Sequence, residues 1–548
     1  MPFTANTVVP QRPSLTAPPQ WLLITLSLLY VLPGLTGHDP WKPDDATYIG
    51  VVFQMVKSGN WLVPALAGEP YLEHPPLYYW VSSVCAKALS PTIPFHDGAR
   101  LASGLFVVAT LYALRTTVRL LGRPDLQDAC LLLAMGTLGL IAHAHETQPI
   151  LAVLAASSFA LLGFARFLQR PWEGAVVAGA AQGLAFLAGG IDGALCTLPL
   201  WVALPLCSPA WRTREALLAL PFGLVLAALI AASWPWQLHV HAPDVLQSWW
   251  SQEVKQNALS DVTRDNLQIM ARLLSWHSWP VLLLAFWALW RARHHLRVSE
   301  VLLPMGALLS ALVAISLAHT LRSATLLPLI PALILLASLG LPTLRRGAAN
   351  ALDWFAMMTW SVVALLIWLG WIAMVWGWPH RIARNFAKLE PGFQMEFSLP
   401  AVALSLLMCA GWAMLIARTP RSPMRGCLHW TAGSILAWGL TIALLLPWID
   451  YGKTYRPIAQ SLARTLADDK PVCIASRGLG APQRASFHYF ANLMTETGPE
   501  AEARCSRLLV QTTGRGRTAD PGPRWERVWE GRRAGDKSEI FQLFARRH

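Results

Sequence analysis

The chain has 548 residues, of which 54% are apolar and only 14% charged, which excludes an ordinary water-soluble enzyme with about a quarter of its residues charged. Apolar runs long enough to cross about 30 Å of hydrocarbon recur along it, so the composition is that of a polytopic membrane protein. Its 44 Lys+Arg against 31 Asp+Glu leave a net charge of +13, and the arginines stand in short links between apolar runs. No basic stretch interleaves with aromatics, so the excess reads as membrane orientation and no nucleic-acid partner is expected.

Taken from the N-terminus, residues 1–20 hold one basic residue, Arg12, with no clear small-residue cleavage site before Gly37. The first apolar run therefore reads as a retained anchor. Runs of spanning length fall near 20–36, 100–118, 126–145, 149–167, 173–190, 194–207, 216–235, 275–291, 299–317, 324–341, 355–377, 398–417 and 429–448. These thirteen expected spans make residues 1–449 an α-helical polytopic domain. Arginine links at Arg115/Arg119/Arg123, Arg166/Arg170, Arg212/Arg214, Arg291/Arg293/Arg297, Arg345/Arg346 and Arg418/Arg421/Arg425 occupy every second connection, which places them in the cytoplasm. The loop 37–98, the loop 236–274, the loop 378–397 and everything after Trp448 are then expected on the opposite side.

The first long loop, His38 to Trp80, is too polar to span and too apolar for a plain linker. Thr47–Lys57 puts Tyr48, Val51, Val52 and Met55 on one helical face, and Tyr71–Trp80 gathers aromatics around Pro75-Pro76. Both segments suit elements lying in the membrane interface. Two acidic clusters frame the loop, Asp44-Asp45 and Glu73. Carboxylates at membrane depth are costly and mark functional sites, whereas the bland role for Asp44 or Asp45 is a helix N-cap. The second carboxylate and the His74-Pro-Pro turn favour a site.

Residues 450–548 change character and read as a small outer α/β domain. Helices are expected over Pro457–Ala467 and Ala481–Leu493. Strands are expected over Val472–Ser476, Arg507–Gln511 and Ile540–Ala545, with a turn over Gly514–Pro523. None of the eight cysteines forms a CxxC pair, and this segment holds two of them, Cys473 and Cys505. On the outer face they form either a disulfide or a pair of buried thiols.

Asp44-Asp45-Ala-Thr-Tyr48, Ser58-Gly59-Asn60-Trp61, Tyr71-Leu-Glu73-His-Pro75-Pro76, Tyr79-Trp80 and Ala99-Arg100-Leu101 resemble the first-loop signature of the integral-membrane GT-C glycosyltransferases. The likeness is closest to the aminoarabinose transferases that modify lipid A, and more distant to the protein O-mannosyltransferases. Ser233-Trp-Pro235-Trp236, and Arg322 ahead of Leu327-Pro-Leu-Ile-Pro331-Ala, are similar to that family too. The resemblance implies transfer of a sugar from undecaprenyl phosphate to a lipid acceptor such as lipid A, on the periplasmic face of a bacterial inner membrane. It implies a monomer whose active site and C-terminal domain are periplasmic. On the family pattern Asp44 is the catalytic carboxylate with Asp45 beside it, and Glu73 serves a divalent metal (Zn, Mg or Mn) or the donor phosphate. Tyr48 and Tyr71 support them.

The sequence also departs from that pattern. Relatives carry Arg at the position of Thr47, Lys at His74 and Lys at Gly189, cations that face the donor phosphate. A histidine expected beside Glu253 is Val254, which weakens a zinc site. His145, His239, His241 and His319 are the outer-side histidines that could substitute. Arg100, Lys255 and Arg322 remain as phosphate-binding cations, with His74 assisting in its protonated form. Glu146 and Gln148 stand where relatives carry an acidic residue, and Asp192 reads as a turn former. Two alternatives to a lipid acceptor stay open: a protein hydroxyl, and a non-catalytic lipid-binding or transport relative.

Overall fold

The computed structural model describes residues 18–256, 264–317, 321–467, 473–513, 521–533, 536 and 539–547. Among them, nine helices are long and apolar enough to cross a membrane: Phe95–Leu120, Ile150–Phe167, Pro171–Leu195, Arg214–His241, Ser299–Leu317, Ala324–Thr343, Arg346–Trp376, Leu399–Arg418 and the first part of Pro423–Thr465. A tenth candidate, Gln268–His277 with Val281–Ala292, is bent by 100°. The remaining expected spans are short or interrupted. Gln20–Val31 has 12 residues. Residues 126–145 break into Gln127–Met135 and Leu138–His143, and residues 194–207 hold the 8-residue helix Leu200–Cys207. Glycine and proline inside the apolar runs interrupt the helices.

Two departures from regular helix shape the site. Pro171–Leu195 is kinked at Gly189 (φ −142°, ψ 20°) and Gly190 (φ 59°, ψ −140°). Gly190 is in the left-handed region, and a Cβ there would lie 2.2 Å from a Glu253 carboxylate oxygen, so only glycine serves. Asp192, expected in a turn, instead lies in the helical segment after this kink. Arg214–His241 continues past Ser233–Trp236, which was expected to end a span; Trp234 is buried and its Nε1–H donates to the Leu62 carbonyl at 2.8 Å.

The first loop is folded into the body of the protein. Its helix Asp44–Ser58 buries not one stripe but Asp45 to Val52 continuously, together with Met55. The covering element is the tail helix Ala481–Ala491. After the loop helix comes a tight hairpin, β1 (Ala65–Leu66) and β2 (Glu69–Pro70), turned at Ala67 (φ 48°) and Gly68 (φ 90°), both left-handed.

The tail carries the helix Arg456–Thr465 and a five-stranded sheet of β3 (Ile474–Arg477), β4 (Glu496–Thr497), β5 (Arg507–Thr513), β6 (Trp525–Arg532) and β7 (Glu539–Arg546). Its order is β4-β3-β5-β7-β6, with β3 parallel to both neighbours and β7 antiparallel to both of its own. Most of the expected Gly514–Pro523 turn falls outside the described residues. β6 was not expected from the sequence, because its apolar and charged residues alternate weakly and most are exposed at the sheet edge. Cys473 and Cys505 are joined in a disulfide, with Cα atoms 5.2 Å apart.

Candidate active site

The N-terminus of the first-loop helix sets the site. Asp44 and Asp45 are its first two residues; the capping position belongs to Pro43, which has no side-chain cap bond, so neither aspartate is an N-cap. Successive helical residues point about 100° apart, and here they diverge completely. Asp44 lines a cavity of about 150 Å³ together with Tyr48, Glu73, His74, Gln148 and Arg322 among others. Asp45 turns into the protein and is 1% exposed.

Asp45 is saturated. It accepts from Arg100 Nε and Nη2 at 3.1 and 2.9 Å, from the Thr147 backbone N–H at 2.8 Å and from the Trp41 backbone N–H at 3.0 Å. Burial pushes its carboxyl up, but the Arg100 guanidinium outweighs that and the net position is low, at about 2. Arg100 is itself fully buried, and also donates to the His38 and Asp39 carbonyls at 2.9 and 2.8 Å and to Asp97 at 2.9 Å. Asp45, expected as a catalytic residue, and Arg100, expected to bind phosphate, are thus placed away from the cavity. Neither lines the cavity, and they form a buried, hydrogen-bonded ion pair that ties the loop to the helix Phe95–Leu120.

Inside the cavity the charges converge on Arg322. Its Nη1 lies 3.6 Å from Asp44 Oδ1 and 3.7 Å from Glu73 Oε1. Both distances exceed a hydrogen bond, so the two carboxylates orient the guanidinium by charge. The Arg322 side chain is 54% exposed and can turn toward a ligand. The other oxygen of each carboxylate is held from behind. Gln148 Nε2 donates to Asp44 Oδ2 at 3.2 Å, and the Tyr71 hydroxyl donates to Glu73 Oε2. Tyr48 Oη and His74 Nε2 share a hydrogen bond at 3.3 Å. Burial lowers the basicity of His74, against the raising effect of Glu73 and Asp44, so the ring is harder to protonate than a free imidazole, which weighs against the protonated His74 expected from the sequence.

The three positions at which relatives carry cations behave differently from one another. Thr47 does not line the cavity; it is 5% exposed and its hydroxyl bonds to the Pro43 carbonyl at 2.8 Å. Gly189 does line it, but a Cβ would lie 2.6 Å from Val153, so a lysine would not enter without moving that wall. His74 lines it with its Nε2 on the Tyr48 hydroxyl. Lys255 lies on the helix Pro243–Gln256, and its side chain falls outside the described residues, as does His319. His145 is buried against the Tyr30 carbonyl at 2.7 Å, and His239 and His241 occupy the last turn of their helix, away from the cavity lining.

Two wall residues were not expected at the site from the sequence, Glu253, which was given no role there, and Asp192, read as a turn former. Glu253 is 5% exposed and accepts from the Ile191 N–H at 3.3 Å, at the kink that Gly190 permits. Burial raises its carboxyl to about 7. Asp192 lines the same end of the cavity. The sequence signal for both was the Gly189-Gly190 pair inside an otherwise continuous apolar helix. Glu146, raised by burial to about 7, does not line the cavity, whereas its neighbour Gln148 does.

The metal role expected for Glu73 finds no matching donor set. Among the described residues, the one group of three His, Cys, Asp or Glu close enough to share an ion is Cys473, Glu496 and Cys505, whose two sulfurs are bonded to each other. The position between Asp44 and Glu73 is faced by the Arg322 guanidinium.

No protein-family model matches the chain. It is 30% identical over 446 residues to an undecaprenyl phosphate-alpha-4-amino-4-deoxy-L-arabinose arabinosyl transferase of Pseudomonas aeruginosa (strain LESB58), covering 77% of this chain and 74% of that protein. It is 26% identical over 450 residues to the transferase of that name from Aeromonas salmonicida, covering 78% and 76%. A second such transferase, from Pseudomonas fluorescens, is 32% identical over 252 residues, 43% of this chain and 41% of its own length. Along this and three further relatives the chain matches less than half of their length. Among solved structures, ArnT from Cupriavidus metallidurans bound to undecaprenyl phosphate superimposes with a TM-score of 0.70 over 96% of this chain and 97% of that one, at 17% identity. That likeness shows a shared fold.

Proposed function

The chain belongs to the family of undecaprenyl phosphate-aminoarabinose arabinosyl transferases, and from that premise we propose that it moves a sugar from an undecaprenyl-phosphate-linked donor to a lipid acceptor at the periplasmic face of the inner membrane. The observation that carries this reading is the convergence of Asp44 and Glu73 on one half-exposed arginine, Arg322, in a cavity walled by apolar helices. The phosphate of the donor needs a charge-assisted partner in a medium of low dielectric, and Arg322 supplies a planar pair of donors for it. The isoprenoid chain needs apolar walls, which Ile150, Val153, Ala314, Ile315 and Pro328 supply.

In the reaction an acceptor oxygen attacks the anomeric carbon from the face opposite the phosphate. The carbon–oxygen bond to phosphate breaks, its electrons leave with undecaprenyl phosphate, and the configuration inverts. A hydroxyl acceptor passes its proton to Asp44, which Gln148 orients, whereas a phosphate acceptor is already ionised and leaves Asp44 to stabilise positive charge developing on the sugar. Glu73, held by Tyr71, fixes Arg322 against Asp44. The acceptor on this reading is lipid A.

Arg322 provides the test. Losing a charge-assisted partner costs about 1.5 to 3 kcal/mol, so Arg322→Ala is expected to raise the donor KM about 10- to 100-fold. Arg322→Lys, which keeps charge but not the fork, is expected to fall between Ala and wild type in a steady-state donor titration. An arginine that merely anchors lipid headgroups would tolerate Lys fully and Ala nearly so, and that outcome would remove the phosphate from this cavity.

A further inference from the structure

The outer domain is bolted to the two elements that present the carboxylates. At the loop helix, a Cβ on Gly50 would lie 2.4 Å from Ala485 Cβ, so the helices Asp44–Ser58 and Ala481–Ala491 meet as closely as backbones allow. Phe53 stacks edge-on against His488 and Tyr489, each with centroids 5.1 Å apart, and Lys57 bonds to Asn492. At the hairpin, Glu69 of β2 is gripped from the tail on both oxygens. Arg484 Nη1 donates to one at 2.8 Å, and the Thr497 N–H and hydroxyl donate to the other at 3.2 and 2.9 Å. Arg484 is 8% exposed and is anchored in its own domain by Nη2 on the Thr495 carbonyl at 3.0 Å.

The hairpin leads directly to the site. The Tyr71 N–H donates to the Pro64 carbonyl at 2.8 Å, which extends the β1–β2 ladder by one rung, and the Tyr71 hydroxyl then donates to Glu73. We infer that Arg484 is a positioning residue for the transfer reaction: through Glu69 it fixes the hairpin that holds Tyr71 and Glu73, while the helix carrying it fixes the helix carrying Asp44. The tail is then a part of the catalytic frame rather than an appendage. This inference rests on the transferase reading for its kinetic consequence, though not for its structural one.

The test uses the full chain, with Cys473–Cys505 alkylation resistance confirming an intact tail. A displacement of about 1 Å at a reacting group can cost on the order of 100-fold in rate. Arg484→Ala is expected to lower kcat about 10- to 100-fold and to raise the donor KM as well, though less than Arg322→Ala does, because Glu73 holds Arg322; Arg484→Lys is expected to recover part of both losses. Hydrogen exchange over residues 64–74 is expected to rise in Arg484→Ala while the tail sheet stays protected, whether or not turnover is measured. Unchanged exchange there overturns the clamp. Exchange that rises with kcat unaltered overturns the positioning role. A wild-type chain without transfer activity would instead count against the transferase reading, and the exchange result would still decide the clamp.

Discussion

Replacing Asp44 with Asn is expected to lower sugar transfer by about 10²- to 10⁴-fold, the range over which a positioned general base or charge stabiliser acts. Asn keeps the shape and can still accept the Gln148 amide bond, so expression and thermal stability should stay near wild type. The donor KM should change little, because Asp44 faces Arg322 at 3.6 Å without a hydrogen bond to it. Steady-state kinetics on detergent-solubilised protein separates the two parameters. With a hydroxyl acceptor the loss should be largest, because that oxygen must give up a proton to Asp44. With a phosphate acceptor the removal of a proton is not needed and the loss should be smaller.

The adjacent substitution, Asp45→Asn, should act on stability instead. It leaves the buried Arg100 guanidinium with Asp97 as its remaining carboxylate partner and turns an amide toward donors that need acceptors, the Thr147 and Trp41 N–H groups among them. Breaking a buried pair of this kind costs about 3–5 kcal/mol, which a thermal unfolding curve in detergent would register as a drop of several degrees. The pH dependence has a definite sign. The Asp45 carboxyl sits at about 2 when folded against 3.8 for the ordinary group, so its contribution is complete above about pH 4 and is lost as pH falls from there toward 2. Neighbouring aspartates in one motif thus separate into a reactive and a load-carrying carboxylate. Measured together, the two variants distinguish the roles: one loses rate and keeps its melting point, and the other loses its melting point.

That separation shows what the sequence could and could not convey. The membrane class, the small α/β tail and the gathering of Asp44, Glu73 and Arg322 were legible, because long apolar runs and carboxylates beside them are costly and stand out in composition. The direction in which Asp45 and Arg100 point was not, since a pair of adjacent acids looks the same whether one or both face the cavity. The kink at Gly189 and Gly190 was visible only as two glycines. Its effect, bringing Glu253 and Asp192 to the cavity wall, depends on a segment some 60 residues away. Burial of the first loop under the tail helix was also hidden, because an amphipathic face toward lipid and one toward another helix have the same period.

The most direct test is reconstitution of the purified chain in vesicles with an undecaprenyl-phosphate-linked amino sugar labelled in the sugar, and lipid A as acceptor. The account predicts label in the acceptor lipid and an equal release of undecaprenyl phosphate, both lost in Asp44→Asn. Bound donor without release of undecaprenyl phosphate by the wild-type chain, or equal transfer by wild type and Asp44→Asn, would contradict it.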